Sequence, residues 1–411
     1  MSNNLRLFIA VLGSFLFGYH TAIISGALLF LQSTMQLSLF EEGAIVSMIL
    51  IGALLGSVAA GPIADKWGRK KTLLLSTLFY LAGTLILIFS PTVEMLIIGR
   101  FIAGVGLGLS SLITPLYLAE IAPTETRGRI VSLHQWAITI GIFVAYLINM
   151  AFAESGNWRA MFALALPPAL GQFFGIFFLR ETPIWIAKGH TGGGYKELFS
   201  PAMRPLLWIG LLLSLFQQIT GINTIIYFAP KIFQIAGYSS AIVAIFATVL
   251  IGFVNILATL LSAWLMDRIG RRPLLLIGVS GMAISLFLLS FALFFRFPFV
   301  DPIAVVSLII YVAFFAIGLG PVTWVVLSEI YSIHVRAKAM SLAVFLNWAA
   351  NALVSFSFLD IVKGIGLSGA FLVYAIIGLL AIGFILKRIP ETREKSIEEI
   401  QLLFLKKKSK S

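Results

Sequence analysis

Asp65-Lys66-Trp67-Gly68-Arg69-Lys70 returns about 200 residues later as Asp267-Arg268-Ile269-Gly270-Arg271-Arg272, two copies of the pattern D-[RK]-x-G-R-[RK]. Two further pairs keep that offset and order. Glu120 is followed after seven residues by Arg127, as Glu329 is by Arg336, and Glu181-Thr182 is echoed by Glu391-Thr392. Three ordered pairs mean that one unit is repeated. The chemistry of the pattern is that of a tight connector between helices. Gly68 and Gly270 can take a backbone conformation that side chains forbid. Asp65 and Asp267 are expected to accept hydrogen bonds at a neighbouring helix N-terminus and to pair with an arginine of the Glu-x6-Arg connector, locking adjacent helices at one face.

Around these connectors the chain is apolar. Hydrophobic residues make up 60% of the 411 and charged residues 11%, with a mean hydropathy of +1.02. That excludes a set of soluble domains. Twelve stretches of membrane-spanning length fall near 5–31, 43–64, 72–90, 95–118, 130–152, 160–179, 205–230, 240–265, 274–295, 302–327, 339–360 and 367–386. They are continuously apolar, so helices are expected and not the short alternating strands of a barrel. The first begins at Leu5 and has no small-residue cleavage site before Gln32, which predicts a span and not a removable signal. The fold expected is an all-α membrane protein of twelve helices in two six-helix halves. Residues 1–180 form the first half, 181–204 a shortened linker containing His190-Thr191-Gly192-Gly193-Gly194, 205–388 the second half and 389–411 a tail.

A net charge of +12 suggests nucleic acid until its placement is considered. Roughly 24 of the 29 Lys and Arg residues fall in the connectors and tails on the side of both termini. The surplus is therefore a topology signal that predicts a multi-pass protein of the cell membrane with both ends cytoplasmic. The partners expected are the lipid bilayer and a transported solute, with no nucleic acid, no cofactor and a monomer as the working unit. The chain has no cysteine, hence no disulfide and no thiolate metal site. No acid/base pair, metal cluster or nucleophile constellation gathers in any one span, so an enzyme is not expected.

Carboxamides inside spans are costly in lipid and point to an interior cavity. Gln217, Gln218 and Asn223 cluster in span 7, where Thr220-Gly221 loosens the helix; Gln135 in span 5 and Asn255 in span 8 stand alone. A sugar presents hydroxyls that donate and accept, together with an apolar ring face. Neutral amides and an aromatic plane are the matching groups. Gly104, Gly106 and Gly108 lie within span 4 with no preceding strand, which favours close helix packing over a dinucleotide fingerprint. Gly318 and Gly320 with Pro321 suggest a hinge in span 10.

These motifs resemble the sugar porter branch of the major facilitator superfamily over nearly the whole chain. The resemblance rests on Gly18-Tyr19 with Ile24-Ser25-Gly26, on both D-x-G-R-[RK] connectors, and on Gly99-Arg100-Phe101 with the span 4 glycines. It extends through Pro115 to Glu120, Gln217-Gln218-Ile219-Thr220-Gly221-Ile222-Asn223 with Tyr227, Gly320-Pro321 with Trp324 and Glu329, and Pro390-Glu391-Thr392. It implies alternating-access transport of a monosaccharide. By resemblance, Gln135, Gln217, Gln218, Asn223, Asn255 and Trp324 match positions that bind sugar. Phe17, Tyr227, Gly320, Pro321, Asn347 and Trp348 match positions that line or gate the cavity. Asp65, Gly68, Arg69, Glu120, Arg127, Glu181, Asp267, Gly270, Arg271, Glu329, Arg336 and Glu391 match the cytoplasmic network.

Two departures from that pattern matter. Proton-coupled members carry Asp after Gly-Tyr in span 1, where this chain has His20, and the position of a second coupling Glu in span 6 is Ala165. All 17 acidic residues lie in connectors, tails or span ends. A neighbouring Arg100 disfavours a second positive charge on His20, so facilitated diffusion is expected, with symport of protons through His20 and Arg100 as the alternative. A sugar sensor on the same fold is the other rival, and the short tail argues against it. The second departure is the middle, where Arg180-Glu181-Thr182-Pro183-Ile184 is joined to Tyr195-Lys196-Glu197-Leu198 by only about ten residues. Most of the family's cytoplasmic helices are missing there, which predicts a weaker inner gate.

Overall fold

The computed structural model describes residues 3–123, 127–188, 198–200, 203–238, 240–331, 335–393 and 399. The side chains of Arg127, Asp267 and Arg336, the glycine run of the linker and most of the tail lie outside the described residues. Among those described, all regular structure is helical. Spans 1 to 5 are Asn3–Met35, Leu39–Trp67, Arg69–Phe89, Val93–Ile121 and Arg127–Ala151. Span 6 is built from Trp158–Ala163 and Leu166–Phe177, and a short helix, Pro183–Lys188, follows it. Span 7 is Arg204–Ile219 plus Ile222–Ala236, spans 8 and 9 are Ala241–Ile269 and Arg271–Phe294, and span 10 is Val300–Ile317 plus Leu319–Ile330.

The last helix, Arg336–Arg388, has 53 residues, and at 1.5 Å per residue a straight rod would measure about 80 Å, more than twice a bilayer core. It is interrupted at Gly366, where φ is 74° and ψ 168°, so spans 11 and 12 meet there without a loop. Among the described residues, eleven helices are long and apolar enough to cross a membrane, and the last of these contains two spans. The architecture is thus twelve spans in two six-helix halves.

The exterior is apolar all round. Phe89, Phe178, Phe294 and Leu353 are exposed, whereas Ser76, Thr77, Arg100, Thr114 and Gln172 are buried. Lipid is the solvent that such a surface suits. With no hydrophobic drive between helices in lipid, packing depends on close approach of backbones. A Cβ on Gly104 would stand 2.1 Å from the Ile49 carbonyl oxygen, and one on Gly108 2.1 Å from that of Ala53. These glycines seat span 4 on span 2. Gly104→Val forces the two helices apart, and because backbone cannot yield as a side chain does, a loss at the upper end of the overpacking range, about 3 kcal/mol, is expected. Size-exclusion profiles and Tm check this; a monodisperse variant with unchanged Tm would contradict it.

The halves meet along three lines: span 1 against the second piece of span 7, span 2 against span 11 and span 5 against span 8. At the face opposite the termini, span 2 brings Glu42 and span 7 brings Lys231 into an ion pair in which their side chains are 1% and 13% exposed. Beside it Phe40 meets Phe356 edge-on at 5.7 Å. This far face is closed.

Candidate functional site

Span 7 breaks because Gly221 takes φ +93°, and a Cβ there would lie 2.5 Å from the Tyr374 ring. The break frees the Thr220 carbonyl, which accepts from the Tyr311 hydroxyl at 2.9 Å. Two prolines free further carbonyls, since neither has an N–H to give to the residue four before it. Pro321 releases Ile317 O, which Ser262 Oγ takes at 2.8 Å, and Pro230 releases Ile226 O, which the Tyr146 hydroxyl of the other half takes at 3.1 Å. Interrupted helices at membrane depth are tolerated where such groups are paired again. Span 10 is interrupted at Gly318, with φ −106° and ψ −97°.

Carboxamides gather at these two breaks. Gln217 Nε2 donates to Leu319 O at 2.8 Å and Gly320 O at 3.2 Å, which ties span 7 to span 10. Asn347 Nδ2 of span 11 donates to Gln217 Oε1 at 2.7 Å and Ser214 O at 3.0 Å. Gln218 Nε2 donates to Asn347 Oδ1 at 2.9 Å, and Asn223 Nδ2 to Gln218 Oε1 at 2.6 Å. The result is a relay of four neutral amides, with Gln217, Gln218 and Asn347 buried. Each group both donates and accepts, so hydroxyls can replace these bonds one for one.

Aromatic side chains flank the relay. Trp348, next to Asn347, meets Phe17 of the first half with centroids 5.4 Å apart and planes at 46°. Tyr227 is buried and accepts at its hydroxyl from Asn351 Nδ2 at 3.1 Å; Asn351 Oδ1 in turn accepts from Ser355 Oγ at 3.1 Å. Asn347, Asn351 and Ser355 therefore form a polar stripe on span 11 at a spacing of four. Sequence reasoning missed Asn351, although its distance of four from Asn347 was the available signal. Trp324 stands one turn beyond Gly320, partly buried against the apolar core. Gln135 and Asn255 are half-buried on spans 5 and 8, and the hydrogen bonds described for the relay do not include them.

His20 and Arg100 are both buried, but they do not pair through their side chains. Arg100 Nη1 donates to the backbone carbonyl of His20 at 2.7 Å and its Nε to Ile45 O at 3.1 Å. The imidazole stacks on Tyr80 at 5.3 Å and places Nε2 3.3 Å from Thr84 Oγ1.

At the face bearing the termini, one arrangement is built twice. Arg69 Nη2 pairs with Glu120 at 2.9 Å, and Arg271 Nη2 with Glu329 at 2.9 Å. Glu181 accepts from the backbone N–H groups of Arg69 and Lys70 at 3.0 and 3.1 Å; Glu391 does so from Arg271 and Arg272 at 2.9 and 3.0 Å. Thr182 and Thr392 donate their hydroxyls to Glu120 and Glu329. Gly68 and Gly270 have φ of 92° and 98°, and a Cβ on either would strike the capping carboxylate, at 2.3 and 2.7 Å. The expected role of Asp65 is corrected here. Its side chain is 79% exposed and pairs with Arg69 at 3.3 Å, while Glu181 caps the next helix, because a residue arriving from span 6 can face the N-terminus that Asp65, on the preceding helix, cannot. The Arg127 and Arg336 side chains, expected as partners of the aspartates, lie outside the described residues, as does that of Asp267.

Burial alone would raise the Glu391 carboxyl, but four backbone N–H donors, from Arg271, Arg393, Arg272 and Thr392, outweigh it and hold its pKa below the ordinary value. A depressed folded pKa gives stability that is present above about pH 4.3, the unfolded value, and is lost as pH falls through the folded value. Glu391→Gln should therefore lower Tm at neutral pH, with the gap to the native chain narrowing under acid. A gap that stays constant down to acid pH would contradict the assignment.

Comparisons with known proteins show the family and the overall fold. The family model described as "Sugar (and other) transporter" matches residues 7–192 and 186–404. The D-xylose transporter of Levilactobacillus brevis is 37% identical, over 98% of this chain and 95% of that protein. The galactose-proton symporter of Escherichia coli (strain K12) is 34% identical, over 97% and 94%. Both alignments, at 437 and 434 positions, are longer than this 411-residue chain, so the relatives carry residues that it lacks. Among solved structures, the partially occluded inward open xylose transporter XylE from E. coli superposes with a TM-score of 0.83 at 30% identity, covering 96% of this chain and 99% of that one.

Proposed function

The chain belongs to the sugar porter family of the major facilitator superfamily, and from that premise we propose that it carries a monosaccharide, hexose or pentose, across the cell membrane by alternating access. The observation that carries this is the relay Gln217–Asn347–Gln218–Asn223 at the breaks of spans 7 and 10, flanked by Trp348 and Phe17. Sugar hydroxyls exchange for the amide–amide bonds, and an aromatic face takes the ring. Gln135, Asn255 and Trp324 join the site only if spans 5, 8 and 10 close on the bound ring. The face of both termini is cytoplasmic by the distribution of Lys and Arg. The conformation is then closed to the outside by Glu42, Lys231, Phe40 and Phe356. The short linker supports a weak inner gate.

Facilitated diffusion is the mode favoured. Arg100 has no carboxylate partner among the described residues, and the titratable group beside it, His20, contacts it through a backbone carbonyl. Symport is the second reading, favoured by the name of the galactose-proton symporter. Proteoliposomes holding sugar at equal concentration on both sides, given an inwardly directed proton gradient, separate the two. No net accumulation is expected; accumulation that collapses with a protonophore would establish symport, and His20→Asp is the variant expected to gain it.

A further inference from the structure

Pro230 lies inside the second piece of span 7, and the carbonyl it frees, that of Ile226, is met from the other half of the molecule. The donor is the Tyr146 hydroxyl of span 5, at 3.1 Å, with Tyr146 1% and Ile226 7% exposed. The Tyr146 ring lies against Gly252 of span 8, where a Cβ would stand 2.7 Å from its Cδ2 atom. Phe143, one turn earlier on span 5, meets Phe253 with centroids 6.2 Å apart, so this stretch of span 5 is seated on the second half. Along span 7 the contact falls between two others. Lys231, five residues on, pairs with Glu42 at the far face, and Asn223, three residues back, belongs to the amide relay. At 1.5 Å per residue, Ile226 sits about 8 Å inside the ion pair.

Tyr146 rides on the first half, whereas Ile226 and Gly252 ride on the second. A buried carbonyl without a partner is costly, and one that faces water is not. We propose that Tyr146 is a positioning residue of the transport cycle, an inner latch whose hydroxyl bonds the carbonyl freed by Pro230 only while the far face is closed. When the halves part at that face, water takes the place of the hydroxyl, so the bond favours the closed state and sets its share of the population. Pro230 is what makes the latch selective. With an N–H at position 230 the Ile226 carbonyl would be paired within its own helix in both states, and the hydroxyl would have nothing to hold. The proposal rests on alternating access and is independent of which solute is carried.

Spin labels at Glu154→Cys and Lys363→Cys, exposed on the two halves of the far face, read the closed and open populations as short and long distances. Tyr146→Phe keeps the ring on Gly252 and removes the hydroxyl, and the ratio of long to short distances should rise by on the order of tenfold. Gly252→Ala, whose Cβ drives the ring off the carbonyl, should move the ratio in the same direction. Pro230→Ala restores the N–H, and in that background Tyr146→Phe should change the ratio by less than about twofold. An unchanged ratio in Tyr146→Phe overturns the proposal even if Tm falls, since that is the mark of a hydroxyl that only stabilises the fold. An undiminished shift in the Pro230→Ala background overturns it as well. Should Tyr146→Phe fail to fold, Gly252→Ala decides by the same ratio. Counterflow by the native chain reports separately on the transport reading, so failure of the latch and failure of that reading are told apart.

Discussion

Gln217→Ala is expected to weaken monosaccharide binding by on the order of a hundredfold while leaving a folded protein. The side chain serves three partners, the carbonyls of Leu319 and Gly320 and the amide of Asn347. Truncation leaves those groups unpaired in the closed site, at roughly 1–3 kcal/mol each, unless water enters. Water does enter when the site opens, so the penalty falls on the sugar-bound state more than on the fold. Gln217→Glu keeps the shape, but its acceptor-only oxygens would face the Leu319 and Gly320 carbonyls, so it should be no better than alanine. Binding of labelled sugar to purified protein by scintillation proximity checks both. Affinity within threefold of the native chain in Gln217→Ala would remove this residue from the site.

The second large effect concerns the far face. Breaking a buried ion pair from one side strands the other charge, at about 3–5 kcal/mol, whereas replacing both partners by apolar groups is often neutral. Lys231→Met leaves the Glu42 carboxylate with no partner in a position 1% exposed, and it can regain water only if the halves part there. The single variant should therefore shift the population toward the state open at the far face by on the order of a hundredfold or more. Glu42→Leu with Lys231→Met should restore closure. The chain has no cysteine, so spin labels at Glu154→Cys and Lys363→Cys, both exposed, report the separation across that face. A lengthened distance in the single variant and recovery in the double are expected. An unchanged distance in Lys231→Met would show that the pair does not hold the face closed.

How much of this was legible in the sequence differs by the range of the interaction involved. Spans were legible because lipid imposes one rule on about 20 consecutive residues, and the break in span 7 was signalled locally by Thr220-Gly221. The relay was half visible. Gln217, Gln218 and Asn223 declare themselves as polar groups within one apolar stretch, but the bond from Asn347, over 120 residues away, is a property of the folded bundle. Glu42 and Lys231 were not visible as a pair, since each is a single charge near a span end and such charges ordinarily face water. The aspartate of the connector was misread for a related reason. The pattern D-[RK]-x-G-R-[RK] shows its own cations and glycine but not Glu181 or Glu391, which arrive from the far ends of spans 6 and 12 to cap the helix. Arg100 reaches His20 through a backbone carbonyl, which side-chain chemistry alone does not foretell.

The central claim is that the amide relay carries a monosaccharide through the membrane. Counterflow tests it most directly: proteoliposomes preloaded with unlabelled hexose or pentose are diluted into a trace of the same sugar labelled, and uptake is followed over time. The account predicts a transient overshoot of label for at least one monosaccharide with the native chain and none with Gln217→Ala. No overshoot for any monosaccharide, or an equal overshoot from the variant, would contradict it.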